Sequence, residues 1–196
     1  SEISSCQNGI DFYQGDHLLN NVSVENTSDK ALYGTGNANI TAEGLFFSDG
    51  DIGFAFTGET DVNITNSTFQ NFSGAGIKNI FIEPIGRLPE PEDEEIYLSN
   101  SLITNNNYGL ILERNSYGNI NNNAIYGNSA AAWTNSDEEE PTLNFENNWW
   151  GSPTGPYHYF YNTSGEGDIL ETADEDFDPW LLANPFGATE VEIGSL

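Results

Sequence analysis

The sequence predicts an all-β solenoid of about six coils, each roughly 22 residues long, in which each strand pairs with the equivalent strand of the next coil. Three observations lead to this fold class. Two columns of apolar residues repeat with matching intervals, and a column of asparagines repeats beside them. A period of roughly 20–50 residues is typical of solenoids, propellers and repeat arrays.

The two apolar columns are in step with each other. The first repeats at intervals of 22, 22, 23, 33 and 22 residues and consists of Ile10, Leu32, Phe54, Ile77, Leu110 and Ala132. The second repeats at intervals of 23, 22, 34 and 22 residues and consists of Val24, Phe47, Phe69, Ile103 and Ile125. Both intervals lengthen in the same coil, where the segment EPIGRLPEPEDEE lies. We therefore predict an acidic loop inserted at residues 83–95, and a second one at residues 135–141.

The third column is polar, and each of its members lies two residues after an apolar residue. It consists of Asn21, Asn66, Asn100, Asn122 and Asn147. Asparagine tolerates left-handed backbone angles, and its amide can donate and accept along a stack of amides. We predict an inward-facing Asn ladder at one corner, which would make Asn21 and Asn66 inaccessible. In ITAEGLFF, Ala42 replaces the asparagine, and we expect a longer coil there.

The local sequence of each repeat supports strands. Short alternating runs of Val, Ile, Phe, Ser, Thr and Asn lie between Gly and Asn residues, which indicates strands of about three to five residues with tight turns. No window has the pattern of an amphipathic helix. A β-sandwich with accidental spacing is the alternative, and the coincident intervals favour the solenoid.

The repeats over residues 8–150, of which SNSLITNNNYGLILERNSYGNINNNAIYGN is typical, resemble the right-handed parallel β-helix proteins of the pectin-lyase-like type. The tail, with NNWWGSPTGP, GEGD and DPWL, is similar to the C-terminal end of many archaeal and bacterial surface proteins with such repeats. The resemblance implies a right-handed β-helix. It also implies that related enzymes cleave or epimerise acidic polysaccharides or hydrolyse glycosides.

The end of a solenoid needs a cap, because its last coil exposes apolar side chains and strand edges. Trp150 follows Phe145 by five residues, which is the spacing of Ile125 after Ile120 and predicts an inward position. We predict coils over residues 1–156 and a C-terminal cap and tail over residues 157–196. The predicted anchors of the cap are Trp149, Trp150, Trp180 and Phe186. The alternative role for these tryptophans is a sugar-binding aromatic platform. Trp133 is predicted to lie on or beside the inward column of its own repeat.

The charge of the chain is extreme. Asp and Glu number 31 against four Lys and Arg, which gives a net charge of −27, yet 12 Phe, 9 Tyr and 4 Trp argue against disorder. Mutual repulsion of the acids is screened at molar salt, where the Debye length is ~3 Å. We predict an extracellular or cell-surface protein of a high-salt environment; an ordinary acidic extracellular protein is the alternative. So few cations exclude binding along nucleic-acid phosphates, and no apolar run is long enough for membrane insertion. Because the chain has no methionine, we expect it to be part of a longer protein.

Candidate catalytic residues are not evident. His17 and His158 lie far apart and in no recognisable catalytic context, and Arg114 is interpreted as a solvated surface charge rather than a base. Carboxylate pairs carry little information in a chain with 31 acids. We therefore assign no catalytic residue and lean against an enzyme.

Two further sites are candidates. Asp174, Asp176 and Asp178 alternate in DEDFDPW, so that in an extended run their carboxylates share one face, as a calcium site requires. No other cofactor is expected. Several Asn-x-Ser/Thr sequons occur, and Asn162 in the cap is the glycosylation candidate.

The leading functional hypothesis is a non-catalytic surface module that serves as a rigid spacer, adhesion or assembly element. The alternatives are a carbohydrate-active enzyme and a carbohydrate-binding module. Expected partners are cell-surface glycans or neighbouring surface proteins. We also expect self-association through the N-terminal coil, because the sequence predicts no cap for it.

Overall fold

The computed structural model describes residues 2–80, 94–113, 116–135, 143–172 and 176–187. These residues form a parallel β-solenoid of about six turns with about 22 residues per turn and contain no helix, which confirms the predicted fold class. The strands are β1 Glu2–Ser4, β2 Ile10–Asn20, β3 Ser23–Glu25, β4 Lys30–Glu43, β5 Phe46–Thr57, β6 Asp61–Thr65, β7 Thr68–Asn79, β8 Glu94–Ser99, β9 Leu102–Thr104, β10 Tyr108–Leu112, β11 Ser116–Asn121, β12 Ala124–Tyr126, β13 Ala130–Thr134, β14 Leu143–Asn144, β15 Pro156–Tyr157 and β16 Gly167–Glu171.

The coils have three faces. Face 1 contains the first halves of β2 and β4, the second halves of β5 and β7, and then β10, β13 and β16. Face 2 contains the second halves of β2 and β4, and then β6, β8, β11 and β14. Face 3 contains β1, β3, the first halves of β5 and β7, β9 and β12. The long strands therefore bend around a corner, and every pairing among these strands joins neighbouring coils.

All three faces contribute inward columns to the core, and the two predicted apolar columns are confirmed residue by residue. On face 1, Phe54 pairs with Leu32 and Ile77; on face 3, Phe69 pairs with Phe47 and Ile103. Face 2 has an inward column that consists of Leu19, Ala42, Ile64, Leu98, Ile120 and Phe145. A second inward column on this face includes Ile40, Val62 and Ile96. Most of these side chains are fully buried, so each coil packs like residues against like.

The register also resolves the two irregularities of the sequence. Ala42 does not replace an asparagine, because it pairs with Leu19 and Ile64 in the apolar column, and Gly44 occupies the corner with a φ of 69°. The prediction of a longer coil there is wrong. The acidic loop predicted at residues 83–95 lies mostly outside the described residues, but its last two residues belong to β8.

The asparagines of the predicted ladder adopt the left-handed conformation, as expected, but they do not face inward. Their φ angles are 51° at Asn21, 51° at Asn66, 50° at Asn100, 57° at Asn122 and 59° at Asn147. Four of the five side chains are exposed and Asn147 is half-buried. The prediction that Asn21 and Asn66 are inaccessible is therefore wrong. The left-handed residue turns the chain and leaves its own side chain outside, so that the next residue faces the core.

The buried ladder consists of those next residues: Ser67, Ser101, Asn123 and Asn148. The Ser67 N–H donates to Ser101 Oγ at 3.1 Å, the Ser101 N–H to Asn123 Oδ1 at 3.0 Å, and the Asn123 N–H to Asn148 Oδ1 at 2.9 Å. The amide of Asn148 also donates to the carbonyls of Ile120 and Phe145 at 2.6 and 2.7 Å. Buried backbone groups at this corner are thus satisfied by side chains of the next coil.

A second buried ladder follows the corner between face 3 and face 1. The Phe72 N–H donates to Asn106 Oδ1 and the Asn106 N–H to Asn128 Oδ1, at 2.9 and 3.0 Å. Asp168 completes the ladder, since its carboxylate accepts from the N–H groups of Gly127 and Asn128 at 3.1 and 2.7 Å. Burial raises the pKa of Asp168, and these hydrogen bonds oppose the shift.

The C-terminal segment covers the last coil. Trp150 is fully buried beside Phe145, with ring centroids 6.2 Å apart, and the bridge between Ala124 and Trp149 puts it in line with Ile125. Beyond it, β16 adds a strand to face 1. Trp180 packs on the core and donates from Nε1 to the Pro153 carbonyl at 3.1 Å.

Phe186 differs from the prediction, whereas Trp133 lies beside the inward column, as predicted. Phe186 is 45% exposed and does not anchor the cap; the buried residue of this segment is Phe177. Trp133 pairs with Ile111 and Glu171, one position beyond the inward Ala132, and is half-buried on the outer surface of face 1. Alternation of side chains along a strand places it outside.

Trp150→Ala should lower the free energy of unfolding by ~3–5 kcal/mol, the usual cost of removing a buried large aromatic side chain. Trp133→Ala is the matched control, and its outward position predicts a clearly smaller loss. Urea unfolding of both variants in molar salt measures the difference. Equal stability of the Trp150 variant and the wild type would contradict its role in closing the core.

Asn148→Ala should destabilise the fold by roughly 2–5 kcal/mol, because it leaves two buried carbonyls and the N–H of Asn123 without partners. Asn122→Gly is the control, since glycine keeps the left-handed angle and Asn122 is exposed. If thermal unfolding shows similar losses for both variants, the buried ladder is not what stabilises this corner.

Candidate functional site

The outer surface of face 2 carries a groove of about 250 Å³. Its polar and aromatic lining comes from outward positions of three neighbouring strands: Asn39 and Thr41 on β4, Asp61 and Asn63 on β6, and Glu95 and Tyr97 on β8. The register stacks these positions, with Asn39 beside Asp61, and Asn63 beside Tyr97. Outward residues of a parallel stack thus form a row of hydrogen-bonding groups with one aromatic ring among them.

Hydrogen bonds hold the groups of the groove in place. The Tyr97 hydroxyl donates to Glu95 Oε1 at 2.7 Å, which raises the pKa of Tyr97. The Glu95 N–H donates to Asp61 Oδ1 at 3.2 Å, and Asn39 Nδ2 donates to Asp16 Oδ1 at 2.8 Å. Such a surface offers acceptors, amides and a partly exposed ring, which suits a ligand rich in hydroxyl groups.

Glu94 lies next to the groove but faces the opposite way, and its side chain is buried. Its Oε2 accepts a hydrogen bond from Asn79 Nδ2 at 2.7 Å, and the same amide donates to Ser116 Oγ at 2.7 Å. Burial raises the pKa of Glu94 to about 7, with smaller contributions from the charges of Glu113 and Asp61; the bond from Asn79 opposes the shift. A proton held near neutral pH at a buried carboxyl is a feature of functional sites and of buried polar clusters alike.

Glu94 was not predicted as a site residue, because it falls in the segment interpreted as an inserted acidic loop. The available signal was the position of EE directly before the apolar residues of β8, where strand alternation turns one of two adjacent glutamates inward. The sequence contains no signal for the partner, because Asn79 ends β7 and meets Glu94 across the coil corner.

The proposed calcium row is described only in part. Asp174 lies outside the described residues. Asp176 and Asp178 are both exposed, and the Asp178 N–H donates to Asp176 Oδ1 at 3.2 Å. Within the described ranges, no group of three His, Cys, Asp or Glu side chains is arranged to hold a metal ion. The calcium site therefore stays a prediction.

The geometry at Asn162 disfavours a glycan. Its Nδ2 atom, to which the sugar would be attached, donates to the carbonyls of Thr154 and Pro156 at 2.9 and 2.8 Å. A glycan there would displace hydrogen bonds that shape the cap.

The two histidines do not form a site together. His17 stacks on Phe12 in the first coils, with ring centroids 4.1 Å apart, whereas His158 is buried in the cap. Arg114, interpreted as a surface charge, lies outside the described residues.

The comparison with protein families agrees with the geometry. The family described as the right handed beta helix region matches residues 1–149, which is most of the chain. The chain belongs to the right-handed β-helix family. No curated protein and no solved structure matches this β-helix. Family membership accounts for the fold and leaves the function to be argued from the surface. The described part of this β-helix contains no helix that is long and apolar enough to cross a membrane.

Stability should fall as pH rises through the titration of Glu94. Between pH 4.5 and about 7 the folded protein holds a proton that the unfolded chain releases, so that raising the pH favours unfolding. Below pH 4.5 the contribution vanishes, and above about 7 it reaches about 3 kcal/mol of destabilisation, the free-energy equivalent of the pKa shift.

Glu94→Gln removes this titration. The difference in unfolding free energy between the variant and the wild type, measured by urea unfolding in molar salt, should shift in favour of the variant by about 3 kcal/mol between pH 4.5 and pH 8. Glu95→Gln, on the exposed side of β8, is the control. A pH-independent difference for Glu94→Gln would show that Glu94 titrates normally.

Proposed function

We propose that this β-helix is a non-catalytic module on the exterior of a halophilic organism, where it serves as a rigid spacer, adhesion or assembly element. The observation that carries the proposal is the continuity of the stack. Apolar columns on three faces and two buried hydrogen-bonded ladders link neighbouring coils, and a cap closes the C-terminal end.

Rigidity follows from the way the coils are joined. Each coil contacts its neighbours through backbone pairing on three faces, and the corners are tied by side chains such as Asn123 and Asn128, which bond to the next coil. A bend between two coils would separate buried polar groups from their partners, which is costly in a dry interior. Such a stack holds its ends at a fixed distance, as a spacer must.

The charge supports a high-salt habitat. The described residues include two ion pairs, between Lys30 and Asp29 at 2.7 Å and between Lys78 and Glu113 at 4.0 Å. With 31 acids and four basic residues, most carboxylates have no cation to pair with. Their repulsion destabilises the compact state at low ionic strength and is screened at high ionic strength.

The groove on face 2 favours a second candidate, a pectin-lyase-like carbohydrate-active enzyme or a carbohydrate-binding module. Tyr97 with Asp61 and Glu95 supplies an aromatic ring and acceptors for sugar hydroxyls. Catalysis by two carboxylates would need an accessible acid. Glu94, whose pKa is raised to about 7, is buried and bonded to Asn79, so that binding fits this surface better than catalysis.

The melting temperature should rise steeply from low salt to molar NaCl or KCl. Asp11→Asn, Glu166→Gln and Glu171→Gln, all at exposed positions, should together reduce this dependence because they remove repelling charges. Circular dichroism melts over a salt series measure both effects. A melting temperature that stays constant across the salt series would refute the halophilic part of the proposal.

The enzymatic alternative is tested on the same samples. Wild type, Asp61→Asn and Glu94→Gln are incubated in molar salt with polygalacturonate and with neutral glycans, and released reducing ends and unsaturated products are measured. The spacer proposal expects no turnover by any of them. Turnover by the wild type that disappears in the variants would establish the carbohydrate-active alternative.

A further inference from the structure

The cap presents three consecutive aromatic residues to solvent. Tyr159, Phe160 and Tyr161 are 71%, 74% and 65% exposed, in the segment YHYFYN. Other exposed large apolar residues of the described ranges, such as Tyr13 and Leu18, do not form a run of three. The rings form a connected group, with centroids 4.9 Å apart between Tyr159 and Phe160 and 6.4 Å apart between Phe160 and Tyr161.

The backbone of this aromatic loop is held rigidly. The N–H groups of His158 and Asn162 each donate to the carbonyl of the other, at 3.1 and 3.2 Å, which closes a three-residue loop. Inside it, His158 Nδ1 accepts from the N–H groups of Phe160 and Tyr161 at 3.2 and 3.1 Å. Since Nδ1 is the acceptor, the proton of the neutral ring is on Nε2, which donates to the Thr172 carbonyl at 3.1 Å.

The buried ring of His158 also supports the loop from the core side of the cap. His158 is 2% exposed, and its ring lies 5.4 Å from that of Phe177 and 5.0 Å from that of Tyr161. A buried imidazole thus connects the core of the cap to the aromatic loop. The ring of Phe160 lies 6.4 Å from that of His158, yet Tyr159 and Phe160 stay 71% and 74% exposed, so that they add little to closing the last coil.

An ordered loop that exposes adjacent large aromatic residues indicates a contact surface. Aromatic side chains supply large contact areas at low entropic cost, and a preformed loop loses little further freedom on binding. Because Trp150 already closes the solenoid, the hydrogen bonds of His158 are not needed for closure. We interpret them as fixing the loop with its aromatic rings exposed.

We propose that the aromatic loop binds neutral polysaccharide. The cap contains no Lys or Arg, because the four basic residues of the chain are Lys30, Lys78, Arg87 and Arg114. The loop therefore offers no cation to pair with an anionic glycan, nucleic acid or lipid, even in molar salt where long-range repulsion is screened. A neutral sugar chain needs no such cation. Its apolar ring faces stack on aromatic rings, and its hydroxyl groups can bond to the Tyr159 phenol. This inference goes beyond the spacer role and would make the capped end of the rod its adhesive end.

The test compares two double variants in molar NaCl. Tyr159→Ala/Phe160→Ala removes the two most exposed rings and leaves Tyr161 on His158. Tyr13→Ala/Leu18→Ala removes side chains of 71% and 72% exposure from the first coils and serves as the matched control. The probes are microcrystalline cellulose, chitin and soluble mannan, with polygalacturonate as the anionic comparison, in pull-down and affinity electrophoresis.

The wild type and the control should bind at least one neutral probe, with binding at least tenfold weaker for the loop variant at an unchanged melting temperature. No binding of any neutral probe by the wild type, or equal binding by the loop variant, would overturn the proposal. Sedimentation is measured in parallel: a loop-dependent dimer without glycan binding would also overturn it, in favour of self-association. None of these outcomes depends on the salt series that tests the halophilic module.

Discussion

Parallel pairing of each residue with its equivalent one coil further on is the constraint on which the rest of the structure depends. At a strand separation of ~4.8 Å, a residue in one coil sets what the next coil can place above it. Apolar residues must therefore repeat as columns, and a buried polar group must find its partner in the neighbouring coil. The corners show this most clearly, because Ser101, Asn123 and Asn148 each accept from the backbone of the preceding coil.

The same constraint explains the distribution of functional features. A column inside the solenoid cannot change without disturbing two neighbours, so that chemical variety is concentrated at outward positions, corners, loops and the cap. The groove beside Tyr97 lies on outward positions, the buried pair Asn79 and Glu94 lies at a corner, and the aromatic loop belongs to the cap. Asp168 belongs both to the cap and to the interior, since it lies in the cap segment and completes an internal ladder. The cap is thus joined to the stack by a carboxylate as well as by Trp150.

Acidity and rigidity act together in the proposed role. A net charge of −27 would open a loosely packed chain at low salt, and a solenoid has a large surface for its size. Dense hydrogen bonding between coils resists that repulsion. The cap contains no Lys or Arg and therefore has no cation to pair with an anionic ligand.

The sequence by itself determined the repeat, the register of the two predicted apolar columns and the burial of Trp150. It could do so because stacked coils place equivalent residues in contact, which leaves a fixed interval in the chain. The tertiary structure alone decided features without such an interval. At the corner, the left-handed Asn66 leaves its own side chain outside, and the next residue, Ser67, joins the buried ladder. A shift of one residue reverses the face on which a side chain lies. Glu94 is buried because Asn79 meets it across the corner of its own coil and Ser116 pairs with it in the next coil. Phe177 rather than Phe186 fills the cap, and His158 organises the aromatic loop, because the cap folds once, without a repeat, through contacts between residues distant in the chain.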